Sequence, residues 1–181
     1  MKWRRIAMYY GLAVVLGGYY FLFEDRQTEQ AITVVQEPTV PKRQFLPMKR
    51  ADIQEMQLSR AQGTLRFKHN GQVWEVVEPA GAAVTSAVVA SFLEDLTPEK
   101  EIRIIDANPD DLGVYGLDKP SATIIVKGAD GAQETTVLVG SLNPASSAYY
   151  ARRADTPEVV LLGYNIGYYG DLMFQSARPK T

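Results

Sequence analysis

The distribution of hydrophobic positions divides the chain into an apolar segment and a region of short alternating stretches. Residues 6–23 read IAMYYGLAVVLGGYYFLF, a run without a charged side chain. A helix of this length rises about 27 Å, which is close to the thickness of the hydrocarbon core of a bilayer. The pattern therefore predicts a transmembrane helix over residues 6–23, with the lipid bilayer as its partner.

The charges that flank this segment predict its orientation. Lys2, Arg4 and Arg5 precede the segment, and two acidic residues follow it at positions 24–25. Because basic residues favour the cytoplasmic side, we expect residues 1–5 in the cytoplasm and the rest of the chain in the periplasm. Interfacial aromatic rings and small residues mark the predicted anchor positions, which are Ile6, Tyr9, Tyr10, Gly11, Gly18, Tyr19, Tyr20 and Phe23.

Three other interpretations of the segment agree less well with its residues. A buried helix of a soluble protein would normally show a polar face, and this run has none. A cleaved signal peptide needs small residues near the end of the apolar run. That end reads YYFLF and offers none. A lipoprotein needs a cysteine, and the chain contains none. A retained single-pass anchor is therefore the prediction.

A polar spacer is predicted between the anchor and the folded domain. Residues 24–47 are polar and include Pro38, Pro41 and Pro47, which stiffen the chain and lack an amide donor. The short run AITVV at residues 31–35 is the one stretch here that suits a strand instead. A periplasmic domain over residues 48–176 and a tail over residues 177–181 complete the predicted organisation.

Alternating apolar residues predict β-hairpins along the domain. Asn70-Gly71 lies between TLRFKH and QVWEVVE, and this dipeptide is typical of a two-residue type I′ turn. Two further hairpins are predicted, one joining SATIIVK to ETTVLVG and one joining AYYARR to EVVLL. Weaker patterns predict strands over residues 53–58 and 101–105.

Helical periodicity appears twice in the same region. Thr85 or Ser86 can cap a helix that runs to Leu96, with an apolar stripe of Val88, Val89, Phe92, Leu93 and Leu96. A shorter helix is predicted over residues 166–174. Strands joined by tight hairpins favour antiparallel pairing. The fold class predicted is therefore α+β, with a mainly antiparallel sheet, one long helix and one short helix.

Composition excludes several classes of chemistry. The chain of 181 residues contains no cysteine and one histidine, so disulfide frameworks, thiolate metal sites and sites with two imidazoles are excluded. Its net charge of -2 does not favour a nucleic-acid partner. The sequence contains no nucleophile elbow, phosphate-binding loop or metalloprotease motif. We therefore expect a protein that is not an enzyme and that holds no cofactor or metal ion.

Acidic residues form the first candidate interaction region. Asp106, Asn108 and Asp110 have the spacing of a calcium loop, but Asp111 and Leu117 stand where that loop needs glycine and glutamate. Clustered Asp and Pro make Asx turns and helix caps more simply. Acids concentrate over residues 94–118 and bases over residues 42–68. These charges either steer a partner or pair subunits head to tail, or they form two solvated faces or pair within the fold.

Tyrosines form the second candidate interaction region. Tyr149, Tyr150, Tyr164 and Tyr168 crowd the C-terminal part of the chain. Tyrosine offers an apolar ring with a polar tip, which suits protein interfaces and stacking on sugars. Strand alternation sends Tyr149 and Tyr150 to opposite faces, so we expect one of them in the core.

Three segments resemble a bacterial family, domain of unknown function 4340. They read YGLDKPSATIIVKGADG (residues 115–131), TVLVGSLNP (136–144) and YYARRADTPEVVLL (149–162), and GQVWEVVEP upstream is similar to the same family. The resemblance covers roughly residues 53–172. It implies an envelope protein with one N-terminal membrane helix that accompanies ABC-type export or gliding-motility permeases. The shared residues suit turns and strands, so no catalytic residue carries over.

Two functions follow as expectations. The first is a non-enzymatic accessory or scaffold protein of the bacterial inner membrane, whose periplasmic domain binds or caps a larger membrane protein complex, such as an ABC-type permease. The alternative is a periplasmic module that binds a ligand or glycan beside an ABC-type transporter or the cell wall. A small-molecule ligand is not expected under the first function. An envelope hydrolase would need a pocket in which carboxylates converge.

Overall fold

The computed structural model describes residues 44–98, 102–129, 131 and 133–178. These residues form eight strands, two α-helices and two single-turn 3-10 helices. The strands are β1 (Ile53–Arg60), β2 (Gly63–His69), β3 (Trp74–Glu78), β4 (Ile104–Asp106), β5 (Ala122–Gly128), β6 (Glu134–Leu142), β7 (Ala148–Arg153) and β8 (Val159–Gly163). The helices are α1 (Ser86–Leu96) and α2 (Asn165–Ser176), and the 3-10 turns are Arg50–Asp52 and Leu112–Tyr115.

All eight strands belong to one antiparallel sheet in the order β3-β2-β1-β5-β6-β7-β8-β4. The register places Leu58 between Leu65 and Ile124, and Ile124 beside Val137. All four side chains are buried, so this row forms the centre of the core across four strands. The predicted antiparallel sheet and its two later hairpins are confirmed.

The helices supply the other half of the core. In α1 the buried residues are Val89, Phe92, Leu93 and Leu96, and the remaining member of the predicted stripe, Val88, packs partly buried against them. The helix contacts α2, β3 and β8. The 3.6-residue period therefore identified the correct face of α1.

The loop between β2 and β3 differs from the predicted two-residue turn. His69 pairs with Trp74, so residues 70–73 form a four-residue loop. The Asn70 side chain accepts hydrogen bonds from the amides of Gln72 (3.1 Å) and Val73 (3.0 Å). This Asx-type bonding closes a longer loop, and Asn70 keeps a negative φ, unlike the first position of a type I′ turn.

Helix and strand lengths also differ from expectation. The prediction of one long and one short helix is wrong, because α2 has 12 residues and α1 has 11. Glycine and asparagine weaken the helical pattern at the start of α2, and packing against α1 compensates for them. Strand β1 extends two residues beyond the predicted end, and β4 covers only three residues.

The described domain begins before the predicted boundary at residue 48. Phe45 and Leu46, both assigned to the spacer, are buried in the core together with Met48. The predicted transmembrane helix, the spacer up to residue 43 and the run at 31–35 lie outside the described residues. Among the helices that the structure describes, none has the length and apolar character needed to span a bilayer.

Candidate interaction surfaces

Tyr149 and Tyr150 are neighbours in β7 but contact different parts of the molecule. The Tyr149 ring stacks on Tyr164 with centroids 6.3 Å apart and planes inclined by 26°. The Tyr150 ring meets Tyr115 edge-on, at 5.0 Å and 67°. The structure therefore divides the candidate tyrosines between two surfaces, and the predicted alternation along β7 places them on opposite faces of the sheet.

The first surface is a row of exposed side chains that starts at Tyr164, the N-cap residue of α2, and continues along the helix. We name it the α2 stripe: Tyr164, Tyr168, Asp171 and Gln175. Tyr164 and Tyr168 are 51% and 55% exposed, unusually high values for tyrosine. The Tyr168 amide donates to the Tyr164 carbonyl (3.5 Å), so their side chains lie one helical turn apart. Tyr168 also meets Tyr169 edge-on at 5.3 Å, which holds its ring from the side.

Two glycines let α2 lie close to the sheet beneath this stripe. A Cβ atom at Gly167 would come within 2.6 Å of Cζ of Tyr149. A Cβ atom at Gly170 would come within 2.8 Å of Cζ of Arg60. Neither position has room for a larger residue unless its neighbour moves.

Arg60, the last residue of β1, reaches under α2 from the other half of the chain. Its side chain is only 13% exposed, and it forms an ion pair with Asp171. Its Nη2 donates to the Gly167 carbonyl (3.4 Å), and its Cζ lies 6.0 Å from the centre of the Phe174 ring. Arg60 thus neutralises Asp171 in the stripe. Sequence reasoning missed it, because no local pattern links residues this far apart.

Burial and a nearby negative charge both raise the pKa of Tyr149. Burial raises the pKa of the Tyr149 hydroxyl above 10.0, the nearby negative charge of Asp171 raises it further, and Arg60 partly opposes the shift. The hydroxyl therefore stays protonated at neutral pH. It lies directly against Gly167, at the base of the stripe.

The second surface is the segment of residues 107–121, which we name the Val114 loop. Asp106, just before it, accepts hydrogen bonds from the Asn108 amide (3.0 Å) and the Tyr115 hydroxyl (2.9 Å). Asp111 accepts from the Gly113 amide (2.7 Å) and caps the 3-10 turn. The interpretation of these acids as turn and cap residues is confirmed. In the part of the chain that the structure describes, no three acidic or histidine side chains could hold a metal ion.

The Val114 loop is fixed to strand β6 at its C-terminal side. Gly116 adopts a positive φ of 67°, and a Cβ atom there would lie 2.9 Å from the Ser141 amide nitrogen. The Ser141 hydroxyl donates to the Tyr115 carbonyl (3.1 Å), and Leu117 is buried. Gly140 is needed as well, because a side chain there would overlap the carbonyl oxygen of Tyr115.

The Val114 loop combines an exposed apolar side chain in its 3-10 turn with three exposed acids and the exposed Lys119. Val114 is 70% exposed, the highest value among the exposed large hydrophobic residues of the described chain. Asp110, Asp111 and Asp118 are also exposed. Within the described ranges none of these three carboxylates takes part in an ion pair. The sequence already identified this region as rich in acids, but the exposure of Val114 is seen only in the structure.

The basic stretch near the N-terminal end of the domain is largely paired. The ion pairs that its residues form are Lys68–Glu55 (3.2 Å), Arg66–Glu78 (3.4 Å) and Arg50–Glu94 (3.3 Å). Of the interpretations of the charge asymmetry, pairing within the fold applies to these bases. Among the described residues, the exposed acids of the Val114 loop at positions 110, 111 and 118 form no ion pair.

A cleft of about 850 Å³ separates the segment 44–51 from the C-terminal end of α1. Asp95 contributes to its wall, and the Oδ2 atom of this residue is buried with no hydrogen-bond partner in the described structure. Burial raises the pKa of the Asp95 carboxyl, a hydrogen bond with Asn165 opposes that shift, and the charge of Glu94 adds to it. Sequence reasoning did not single out Asp95, since its burial depends on α2 packing beside α1.

Comparison with known proteins returns one family. The sequence model of the family described as "Domain of unknown function (DUF4340)" matches residues 74–179, which is more than half of the 181-residue chain. No curated protein and no solved structure matches the chain. Both the Val114 loop and the α2 stripe lie inside the matched range.

Proposed function

The chain belongs to the DUF4340 family, and from that premise we propose that it is a non-enzymatic accessory protein that docks onto a larger membrane protein assembly. The anchor predicted over residues 6–23 would hold it in the bacterial inner membrane, with the domain in the periplasm. The family resemblance makes an ABC-type permease the expected class of partner.

Val114 is the observation that carries this proposal. A side chain that is 70% exposed contributes little to the core, yet the loop that carries it is tied down at Tyr115 by hydrogen bonds to Asp106 and from Ser141. Apolar anchor residues that enter a pocket supply much of the binding energy in protein interfaces. A preorganised loop loses little conformational entropy when it binds. Val114 therefore has the properties of an anchor side chain.

The charges around Val114 define the chemistry of the partner. Asp110, Asp111 and Asp118 have no ion-pair partner among the described residues, and Lys119 offsets only one of their charges, so a basic surface would complement the net negative charge of the loop. Such charges mainly accelerate association and exclude wrong partners, whereas the buried apolar contact slows dissociation. We propose a partner with an apolar pocket rimmed by Lys or Arg.

The docking test compares two valine substitutions in full-length protein purified from native membranes in mild detergent. Val114→Asp should abolish co-purification of the assembly. Val77→Asp should leave it intact, because Val77 is similarly exposed (57%) but lies on β3, outside the Val114 loop. Asp110→Asn combined with Asp118→Asn should weaken the association and reduce its dependence on salt. A wild-type chain that always migrates as a lone monomer would contradict the proposal.

The predicted membrane topology has its own test. Full-length protein should stay in vesicles during an alkaline carbonate wash, and a C-terminal reporter should be active only in the periplasm. Release by the wash, or a cytosolic reporter signal, would contradict the anchored arrangement whatever the outcome of the docking experiment.

A further inference from the structure

We propose that the α2 stripe is a binding site for an uncharged glycan chain, with Tyr164 and Tyr168 as two consecutive stacking platforms. This site lies on the helix face of the sheet, whereas Tyr115 of the Val114 loop contacts Tyr150 on the opposite face. It is therefore a separate activity from the docking proposed above.

The rings of Tyr164 and Tyr168 are exposed, lie one helical turn apart and each contact another tyrosine ring. Residues four apart on a helix have Cβ atoms about 6 Å apart, which is close to the length of one pyranose unit. The C–H face of a pyranose is apolar and lies flat on an aromatic ring. Tyr164 is backed by the near-parallel ring of Tyr149, and Tyr168 is braced by Tyr169. Each ring already has a neighbouring ring that restricts its movement, which lowers the entropy cost of binding a sugar.

The polar side chains of the α2 stripe suit an uncharged ligand that is rich in hydroxyl groups. Asp171 is the only ionised side chain of the stripe, and Arg60 neutralises it from below while the carboxylate remains 60% exposed. A fixed carboxylate can accept hydrogen bonds from sugar hydroxyls, and the exposed amide of Gln175 can donate or accept them. The stripe presents no unpaired charge, so its electrostatics match a neutral glycan and give no advantage to a charged protein segment.

The rigidity of the stripe has a structural cause on the other side of the helix. Gly167 and Gly170 bring α2 against the Tyr149 ring and the Arg60 guanidinium. Sites held on rigid elements by a second layer of contacts keep their geometry when the ligand is absent. The stripe therefore offers a preformed linear surface about three helical turns long.

The test titrates the full chain in detergent micelles with the β-1,4-linked tetramer of N-acetylglucosamine, which is uncharged. 3-Fluorotyrosine is incorporated, and the resonances are assigned by single Tyr→Phe variants. The Tyr164 and Tyr168 resonances should shift in a saturable manner. Tyr164→Ala and Tyr168→Ala should each weaken binding roughly tenfold, whereas the Phe variants, which keep the ring, should bind within about threefold of wild type.

Two controls decide the interpretation. Val77→Ala, at an exposed apolar residue of β3, should leave the affinity unchanged. A sulfated heparin tetrasaccharide should bind at least tenfold more weakly than the uncharged tetramer. Absence of saturable binding would overturn the proposal, as would unchanged affinity in the Tyr164→Ala/Tyr168→Ala double variant. Loss of a protein partner in that variant, with no glycan bound by wild type, would assign the stripe to a protein interface instead.

Discussion

Arg60 and Asp171 form an ion pair across 111 positions of sequence, and this pair joins the β1–β2 hairpin to α2. The two side chains differ in environment, because Arg60 is 13% exposed and Asp171 is 60% exposed. Arg60 needs the negative charge of Asp171 nearby, because a guanidinium that is mostly shielded from water is stable only beside a compensating charge. Asp171 therefore contributes both to the surface of α2 and to the way that the helix is seated.

Substitution at Gly167 should show how closely α2 approaches the sheet. Gly167→Ala gains about 1 kcal/mol of helix propensity, but its Cβ atom would overlap the half-buried Tyr149 ring. Overpacking costs typically 1–3 kcal/mol, so we expect a net loss of about 1 kcal/mol in the free energy of unfolding, measured by urea denaturation. Gly163→Ala is the matched control, because nothing lies within 4 Å of the added Cβ atom. A Gly167→Ala variant that is about 1 kcal/mol more stable than wild type would show that Tyr149 moves aside freely, because only the gain in helix propensity would then remain.

The Arg60–Asp171 pair should show measurable coupling in a double-mutant cycle. Asp171→Asn leaves a nearly buried guanidinium without its counter-charge, and we expect it to cost about 1 kcal/mol. Arg60→Met keeps the apolar stem of the side chain and removes the cation. The double variant should lose less than the sum of the single variants, with a coupling of about 1 kcal/mol that decreases in high salt. Strictly additive losses would mean that the pair contributes nothing beyond its separate residues.

The local features of the fold could be predicted from sequence because their causes are local. The period of α1 identified its buried face, and two hairpins had turn residues between alternating strands. The length of α2 could not be predicted in the same way. Its glycines oppose helix formation, and they are tolerated because Tyr149 and Arg60 occupy the space that they leave.

The sequence identified candidate residues of the two sites, but it could not predict which side chains they contact or how exposed they are. Alternation along β7 correctly separated Tyr149 from Tyr150, but their ring partners come from the N-cap of α2 and from the 3-10 turn of the Val114 loop. The acids at 106 and 111 were correctly interpreted as turn and cap residues. The exposure of Val114 could not be foreseen, because it depends on Leu117 and Gly116 fixing the loop to β6.

Asp95 should destabilise the domain at neutral pH. It lies in the last turn of α1, where the helix dipole disfavours a negative charge, and burial raises its pKa. Because the folded state holds this proton more tightly than the unfolded state, the cost of Asp95 is fully present above the raised folded-state pKa and is lost as pH falls through that pKa toward the ordinary aspartate value. Asp95→Asn should raise the free energy of unfolding at pH 7 by about 0.5 kcal/mol.

This prediction is checked by measuring the free energy of unfolding of wild type and Asp95→Asn by chemical denaturation at a series of pH values. The gain from Asp95→Asn should shrink as the wild-type carboxyl becomes protonated. Glu94→Gln serves as the control, because Glu94 is exposed and pairs with Arg50 at 3.3 Å, so its removal should not stabilise the protein. A pH-independent gain at residue 95 would assign the effect to packing instead of charge.

Tyr115 should give the domain an alkaline limit. Its hydroxyl donates to Asp106, and this hydrogen bond is the main cause that raises the Tyr115 pKa above 10.0. The folded state therefore favours the protonated phenol, so its stabilising effect is complete below pH 10 and is lost as pH rises through the higher folded-state pKa. Tyr115→Phe should lower the melting temperature at pH 8 and make its decline above pH 10 less steep. Tyr168→Phe is the matched control, because the exposed Tyr168 hydroxyl makes none of the hydrogen bonds found among the described residues. If both variants followed the wild-type alkaline curve, the bond between Tyr115 and Asp106 would not hold the Val114 loop.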